Sequence, residues 1–214
     1  MNGNGSGAVV AITPDPTVFV VDDDQDMREL LRHLVGSVGL TVETSARAQQ
    51  FLDTYDAGRP GCLVLDVRMP GMSGLDLQEE LAARKISLPI IMITGYGDVP
   101  TAVCALRAGA VDFVEKPFSR QLLLDRIRHA MEVDRKARRA QAQRAEVAAR
   151  LARLTPRERE VMELVIAGNA NKVIAIDLGL CEKTVEVHRA RVMRKMEVDC
   201  LAELVRLNLP MRDE

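Results

Sequence analysis

The sequence predicts an α/β domain with a parallel sheet, followed by a smaller all-α domain of four helices. Three observations predict this. Five short apolar runs alternate with five segments of helical periodicity over residues 17–130; residues 154–210 carry only helical patterns; and the charge changes sign between the two halves. Residues 1–133 hold 12 Lys+Arg against 18 Asp+Glu, a net of −6, whereas residues 134–214 hold 17 against 13, a net of +4. An acidic front and a basic back suit different partners, and the basic half is compatible with a polyanion.

The elements follow in order. Residues 1–16, rich in Gly, Asn and Pro, read as a disordered tail. Val18–Val21 is the first strand, and Met27, Leu30, Leu31, Leu34, Val35 and Val38 mark one face of a helix. Leu40–Val42 is a second strand, with a helix at 46–55. Cys62–Leu65 and Pro89–Ile93 are the third and fourth strands, followed by helices at 75–84 and 100–108. Val111–Val114 is the fifth, followed by a helix at 119–130. Short, nearly all-apolar strands separated by helices imply a sheet covered on both faces, with right-handed crossovers. Residues 131–153, rich in Ala and Arg without Gly or Pro, read as a solvated helical linker continuing the last helix, because no heptad repeat is sustained.

From Thr155 the chain reads as helices at 156–167, 170–178, 182–196 and 200–208. Thr155-Pro156 with Glu158 forms a capped start, and Gly168 and Gly179 mark helix ends. Ile174, Ala175, Leu178, Leu180, Val185, Val192 and Met196 are expected to face inward.

Cys62, Cys104, Cys181 and Cys200 form no CxxC, and only three histidines accompany them, which argues against a zinc site or disulfide framework. The chain reads as cytoplasmic with reduced thiols, without a secretory signal, and no apolar run approaches the roughly 20 residues of a membrane span.

Polar residues stand where the strands end: Asp22 and Asp23 after the first, Asp66 after the third, Thr94 after the fourth, Lys116 after the fifth. In a parallel sheet these carboxyl ends bound the ligand crevice. Clustered carboxylates favour a hard cation such as Mg²⁺. A carboxylate can attack phosphorus, while lysine and metal neutralise the transferred group and a threonine hydroxyl donates to it. Any one of these Asp residues would suit turn or capping chemistry; five polar groups at matching strand ends suit a site.

VDDD (21–24), LDVRMPGMSG (65–74), ITGYGD (93–98) and EKPF (115–118) make residues 17–130 resemble the receiver domain of two-component signalling, a flavodoxin-like (βα)5 fold. The resemblance implies Asp66 as phosphoacceptor, a Mg²⁺ site from Asp22, Asp23, Asp66 and the Arg68 carbonyl, and Lys116 as the charge-neutralising lysine. It implies Thr94 and Phe113 as switch residues and a cis Lys116-Pro117 bond. Arg68 and Tyr96 stand where the family tunes aspartyl-phosphate lifetime.

In the second domain, Lys183, Thr184, Glu186, His188, Arg189, Arg191, Arg194 and Lys195 share the polar face of the 182–196 helix, opposite its apolar face. A recognition helix needs such a division; Glu186 and Val187 near its start could read bases, while Lys and Arg contact phosphates. LTPREREV (154–161), NKVIAIDLGL (171–180) and KTVEVHRARVMRKM (183–196) resemble the LuxR-type helix-turn-helix of NarL/FixJ regulators. DNA contacts are expected from Lys172, Lys183, Thr184, Glu186, Val187, His188, Arg189, Arg191 and Arg194. Two departures stand out: Ala190 occupies a position that is basic in some relatives, and Cys181 replaces the usual Ser or Thr cap. Cys181 reads as a buried structural thiol in preference to a redox switch.

The combined resemblance implies a response regulator, not an enzyme. A sensor histidine kinase would phosphorylate it; phosphorylation would favour a homodimer on double-stranded DNA, with RNA polymerase a further partner and no membrane contact. A phosphotransfer relay protein whose second domain makes protein contacts is the alternative; an enzyme using the aspartyl phosphate would need a substrate pocket or lid motif, and none is visible.

Overall fold

The computed structural model describes residues 15–95 and 99–208. The N-terminal tail expectation, apart from its last two residues, and Tyr96 lie outside them. The chain divides into two compact units between Ala137 and Arg138.

The first unit alternates strand and helix: β1 (Thr17–Val21), α1 (Gln25–Gly36), β2 (Thr41–Ser45), α2 (Ala48–Thr54), β3 (Gly61–Asp66), α3 (Gly74–Ala83), β4 (Ile90–Thr94), α4 (Val99–Arg107), β5 (Asp112–Glu115) and the first part of α5 (Arg120–Ala152), whose residues from Arg138 onward belong to the second unit. All strand pairings are parallel, in the order β2-β1-β3-β4-β5. Strand side chains alternate between two apolar layers. Phe19, Val21, Leu63, Leu65 and Met92 pack against α2, α3 and α4 through Phe51, Leu77, Leu81 and Ala105. Val18, Val20, Val64, Ile91, Ile93 and Val114 pack against α1 and α5 through Leu31, Val35, Leu123 and Ile127. Helices on both faces explain why the strands read as unbroken apolar runs.

Two expectations need correction. The second strand extends to Ser45, because it pairs along its length with β1, Val18 through Val21 matching Val42 through Ser45. It is an edge strand, half-buried or exposed, so its polar Glu43 and Thr44 hid its extent. The second concerns 131–153. Helix α5 does continue through it, but it is not solvated throughout: Asp134 is 3% exposed and accepts the Gly61 N–H at 2.9 Å, and Val147 and Leu151 are buried.

The second unit adds α6 (Pro156–Ile166), α7 (Asn171–Leu178), α8 (Glu182–Met196) and α9 (Leu201–Asn208). Val147, Leu151, Val161, Met162, Val165, Ile174, Val185, Val192, Met196 and Leu204 form its core. Thr155 caps α6 with the reciprocal Thr155–Glu158 box, Pro156 opening the helix. Gly179 ends α7 at φ +64°, a left-handed conformation that permits the short turn into α8.

Candidate functional site

The carboxyl edge of the sheet brings Asp22, Asp66, Thr94 and Lys116 together. Asp66 ends β3 and is 7% exposed; its Oδ1 accepts Lys116 Nζ at 2.7 Å and its Oδ2 accepts the Arg68 N–H at 2.8 Å. Asp22, following β1, is 2% exposed; Oδ2 accepts Lys116 Nζ at 2.9 Å and Oδ1 accepts the Asp24 N–H at 2.9 Å. One ammonium therefore spans two nearly buried carboxylates. Backbone pairing sets it there: the Lys116 N–H donates to the Thr94 carbonyl at 2.7 Å, continuing the β4–β5 ladder, and the following Lys116-Pro117 bond is cis.

The electrostatics follow. Burial pushes the Asp22 carboxyl above its ordinary range, although Lys116 and the Asp24 amide pull the other way. Burial disfavours the Lys116 ammonium, but its hydrogen bonds to Asp22 and Asp66 outweigh this and hold its pKa above the ordinary lysine value. Both values rise, but the charged form is disfavoured at Asp22 and favoured at Lys116, because Lys116 has two carboxylates while Asp22 shares its one lysine with Asp66.

Thr94 is buried at the end of β4, and Phe113, paired with Met92, is half-buried against the α3–α4 layer. Asp23 is exposed and lines a surface cavity with Arg47 and Met72. Among the described residues, no three His, Cys, Asp or Glu side chains converge closely enough to hold a metal ion. Arg68 is exposed. Asp24, which the motif reading left without a role, caps α1 by accepting the Asp26 N–H at 2.9 Å, and Arg28 Nη1 donates to the Asp22 carbonyl at 2.7 Å. The available signal for the cap was an Asp standing just before the apolar helical face. Gly74 opens α3 so close to β3 that a Cβ there would lie 2.3 Å from the Asp66 carbonyl oxygen.

In the second unit, Lys172, Lys183, Glu186, Val187, Ala190, Arg191 and Arg194 are exposed, whereas Thr184, His188 and Arg189 are half-buried. Arg189 Nη1 donates to Asn171 Oδ1 at 2.7 Å, tying α8 to the start of α7. The Nδ1 of His188 is buried without a hydrogen-bond partner among the described residues. Lys195 does not belong to the free polar face: its Nζ donates to the 3%-exposed Glu158 at 2.6 Å. The Lys195 hydrogen bond and the Thr155 amide hold the Glu158 carboxyl down to about 2. Arg150 joins the same end of α8, donating to the Met196 carbonyl at 3.1 Å. These long-range links left no trace in helical periodicity.

Cys181 corrects the expectation of a buried thiol. It is exposed at the N-cap of α8, makes no side-chain cap bond, and lies 3.0 Å from Thr184 Oγ1; hydrogen bonding with Thr184 lowers its pKa.

Residues 18–128 match the family model "Response regulator receiver domain", and residues 152–208 match "Bacterial regulatory proteins, luxR family". The chain therefore belongs to the two-component response regulators that pair a receiver with a luxR-type DNA-binding domain. Within them it is of the NarL/FixJ type. It is 47% identical to Nodulation protein W of Bradyrhizobium diazoefficiens over 95% of this chain and 90% of that one. It is 48% identical to the transcriptional regulatory protein FixJ of Azorhizobium caulinodans, over 90% and 91%. Among solved structures, the response regulator StyR matches with TM-score 0.84 and 47% identity, covering 91% of this chain and 98% of that one. Full-length FixJ from B. japonicum matches with TM-score 0.56 and 44% identity, covering 91% and 96%. This chain is accordingly a regulator and not an enzyme. Its receiver implies a sensor-kinase partner, and its helix-turn-helix implies DNA binding. Among the described residues no helix is long and apolar enough to cross a membrane.

Proposed function

We propose that this protein is a transcription regulator of the cytoplasm, switched by phosphorylation of Asp66 by a sensor histidine kinase. The observation that carries this is the Lys116 ammonium held between the Asp66 and Asp22 carboxylates at 2.7 and 2.9 Å. An Asp66 carboxylate oxygen attacks the phosphorus of the kinase phosphohistidine. The O–P bond forms, the P–N bond breaks, and the imidazole leaves to take up a proton. Lys116 neutralises charge on the transferred group, and the Thr94 hydroxyl donates to one of its oxygens. Phe113 follows Thr94 and changes the surface around β5. Arg68 and Tyr96 tune the lifetime of the aspartyl phosphate.

The donor chemistry fits Mg²⁺: three carboxylates against one ammonium leave negative charge in excess, and every donor is oxygen. Asp22, Asp23, Asp66 and the Arg68 carbonyl would hold it, with Asp23 the group that must turn inward. When bound, the ion offsets negative charge on the phosphoryl group during transfer.

Residues 17–130 act as receiver, 131–153 as helical linker and 154–210 as DNA-binding domain. Phosphorylation favours a homodimer whose two α8 helices meet half-sites about one helical turn apart. Lys183, Thr184, Glu186 and Val187 face bases; Lys172, His188, Arg189, Arg191 and Arg194 face phosphates; the dimer engages RNA polymerase at the promoter. Incubation with Mg²⁺ and a small phosphodonor tests the core of this reading. Stoichiometric phosphate released by alkali or hydroxylamine on the wild type and none on Asp66→Asn is the expected result; undiminished labelling of Asp66→Asn overturns it. Sedimentation with beryllium fluoride then reads dimer formation.

A further inference from the structure

The positive charge of the second half of the chain does not lie in the four helices that follow α5. Residues 154–208, which hold α6 to α9, carry nine Lys+Arg and nine Asp+Glu and are neutral as a whole. Residues 135–153, at the end of α5, carry seven Lys+Arg against the single acid Glu146. Arg150 and Arg153 serve the packing of the second unit. Arg150 donates to the Met196 carbonyl at 3.1 Å, and Arg153 donates to Glu197 at 2.9 Å. These bonds fasten α5 to the C-terminal end of α8.

The other five, Arg135, Lys136, Arg138, Arg139 and Arg144, follow one another with no acid between them. Arg138 is half-buried and the rest are exposed. Arg135 and Lys136 reach Glu132 at 2.8 and 3.7 Å. Ion pairs so exposed contribute little and exchange readily for other anions. At about 1.5 Å per residue the stretch covers about 14 Å, a length over which one strand of duplex DNA presents about four phosphates. Arginine suits phosphate, because its planar fork donates two hydrogen bonds at once.

We infer that this stretch of α5 is a second DNA-contacting surface, which meets backbone phosphates of the duplex that α8 engages and supplies much of the attraction that does not depend on sequence. The inference rests on DNA binding by the second unit. Neutral as a whole, residues 154–208 can orient on a duplex and read it but bring no net charge to draw in a polyanion. The end of α5 brings that charge, and its attachment to α8 puts the charge on the unit that meets DNA.

The test uses the full chain and a fluorescent duplex of about 30 base pairs and arbitrary sequence, with affinities read by anisotropy between about 50 and 200 mM KCl. Arg135→Gln, Lys136→Gln, Arg139→Gln and Arg144→Gln together keep good helix formers in place. They should lower the slope of log affinity against log salt by at least about two, since each phosphate contact carries about 0.9. Arg135→Lys, Arg139→Lys and Arg144→Lys together should keep the wild-type slope, because charge sets it. A smaller fall in the Gln protein, or an equal fall in the Lys protein, overturns the inference. Lys183→Gln, Arg191→Gln and Arg194→Gln on α8 separate the two readings. If these lower the slope and the α5 substitutions do not, the α5 surface is refuted and DNA binding by α8 stands. If the wild type itself binds without salt dependence, DNA binding by the second unit is refuted, and the α5 surface with it.

Discussion

Glu158 and Lys195 stand 37 positions apart, yet their side chains meet at 2.6 Å, and the same carboxylate closes the N-terminal box of α6 by accepting the Thr155 N–H at 2.9 Å. One buried acid thus caps one helix and anchors the C-terminal turn of α8. Glu158→Ala removes both interactions, strands Lys195, and is expected to destabilise the second unit by on the order of 3 kcal/mol. Urea denaturation followed by far-UV circular dichroism measures this; a loss below about 0.5 kcal/mol would show that the pair contributes no more than an exposed one.

The same group sets an acid response. Its folded pKa of about 2 lies below its ordinary 4.5, so its contribution is fully present above about 4.5 and is lost as pH falls towards 2. Melting temperature should therefore decline across that window. Glu158→Gln should show a shallower decline, and identical slopes in the two proteins would contradict the assignment.

Removing Lys116 leaves Asp22 and Asp66 without their shared cation. Lys116→Met should cut the rate of Asp66 phosphorylation by about 100-fold, by loss of a charge aimed at the transferred group. Rates from phosphate-retardation gels give the answer, and a fall of less than threefold would remove Lys116 from the reaction.

Gly74→Ala places a methyl 2.3 Å from the Asp66 carbonyl oxygen, where only backbone can give way. A destabilisation of about 1–3 kcal/mol should accompany slower phosphorylation, since the strand end carrying the acceptor must shift. Thermal denaturation alongside the labelling rate reads both; unchanged values would mean that α3 moves aside freely.

The four cysteines should separate by reactivity. Burial pushes the Cys62 thiol up to about 12, while Cys104, Cys181 and Cys200 are exposed. A chromogenic disulfide at pH 8 should titrate three thiols in the native protein and the fourth only in denaturant, with Cys181 reacting first because Thr184 lowers its pKa. Rapid modification of Cys62 in the native state would show that β3 opens.

The alternation of apolar runs with helical faces made both units legible in the sequence, because a sheet covered on both faces must read as continuous apolar strands and a four-helix unit cannot. The strand-end positions of Asp22, Asp66, Thr94 and Lys116 were legible for the same reason: strand direction places carboxyl ends at one edge whatever the loops do. The polar face of α8 was visible from its period.

Tertiary contacts alone decided the rest. Period shows that Lys195 lies on the polar side of its helix, but only the packing of α6 beside it makes that lysine the partner of the buried Glu158. Composition marks 131–153 as solvated, but Asp134 is drawn in because the Gly61 amide at the start of β3 has a hydrogen bond to satisfy. Cys181 could be exposed or buried by pattern, and the turn after Gly179 leaves it at the surface. Local propensity and period are properties of neighbouring residues and can be read along the chain. Pairing between groups tens of positions apart depends on how elements pack, and only the folded chain settles which polar groups lose water and must find each other.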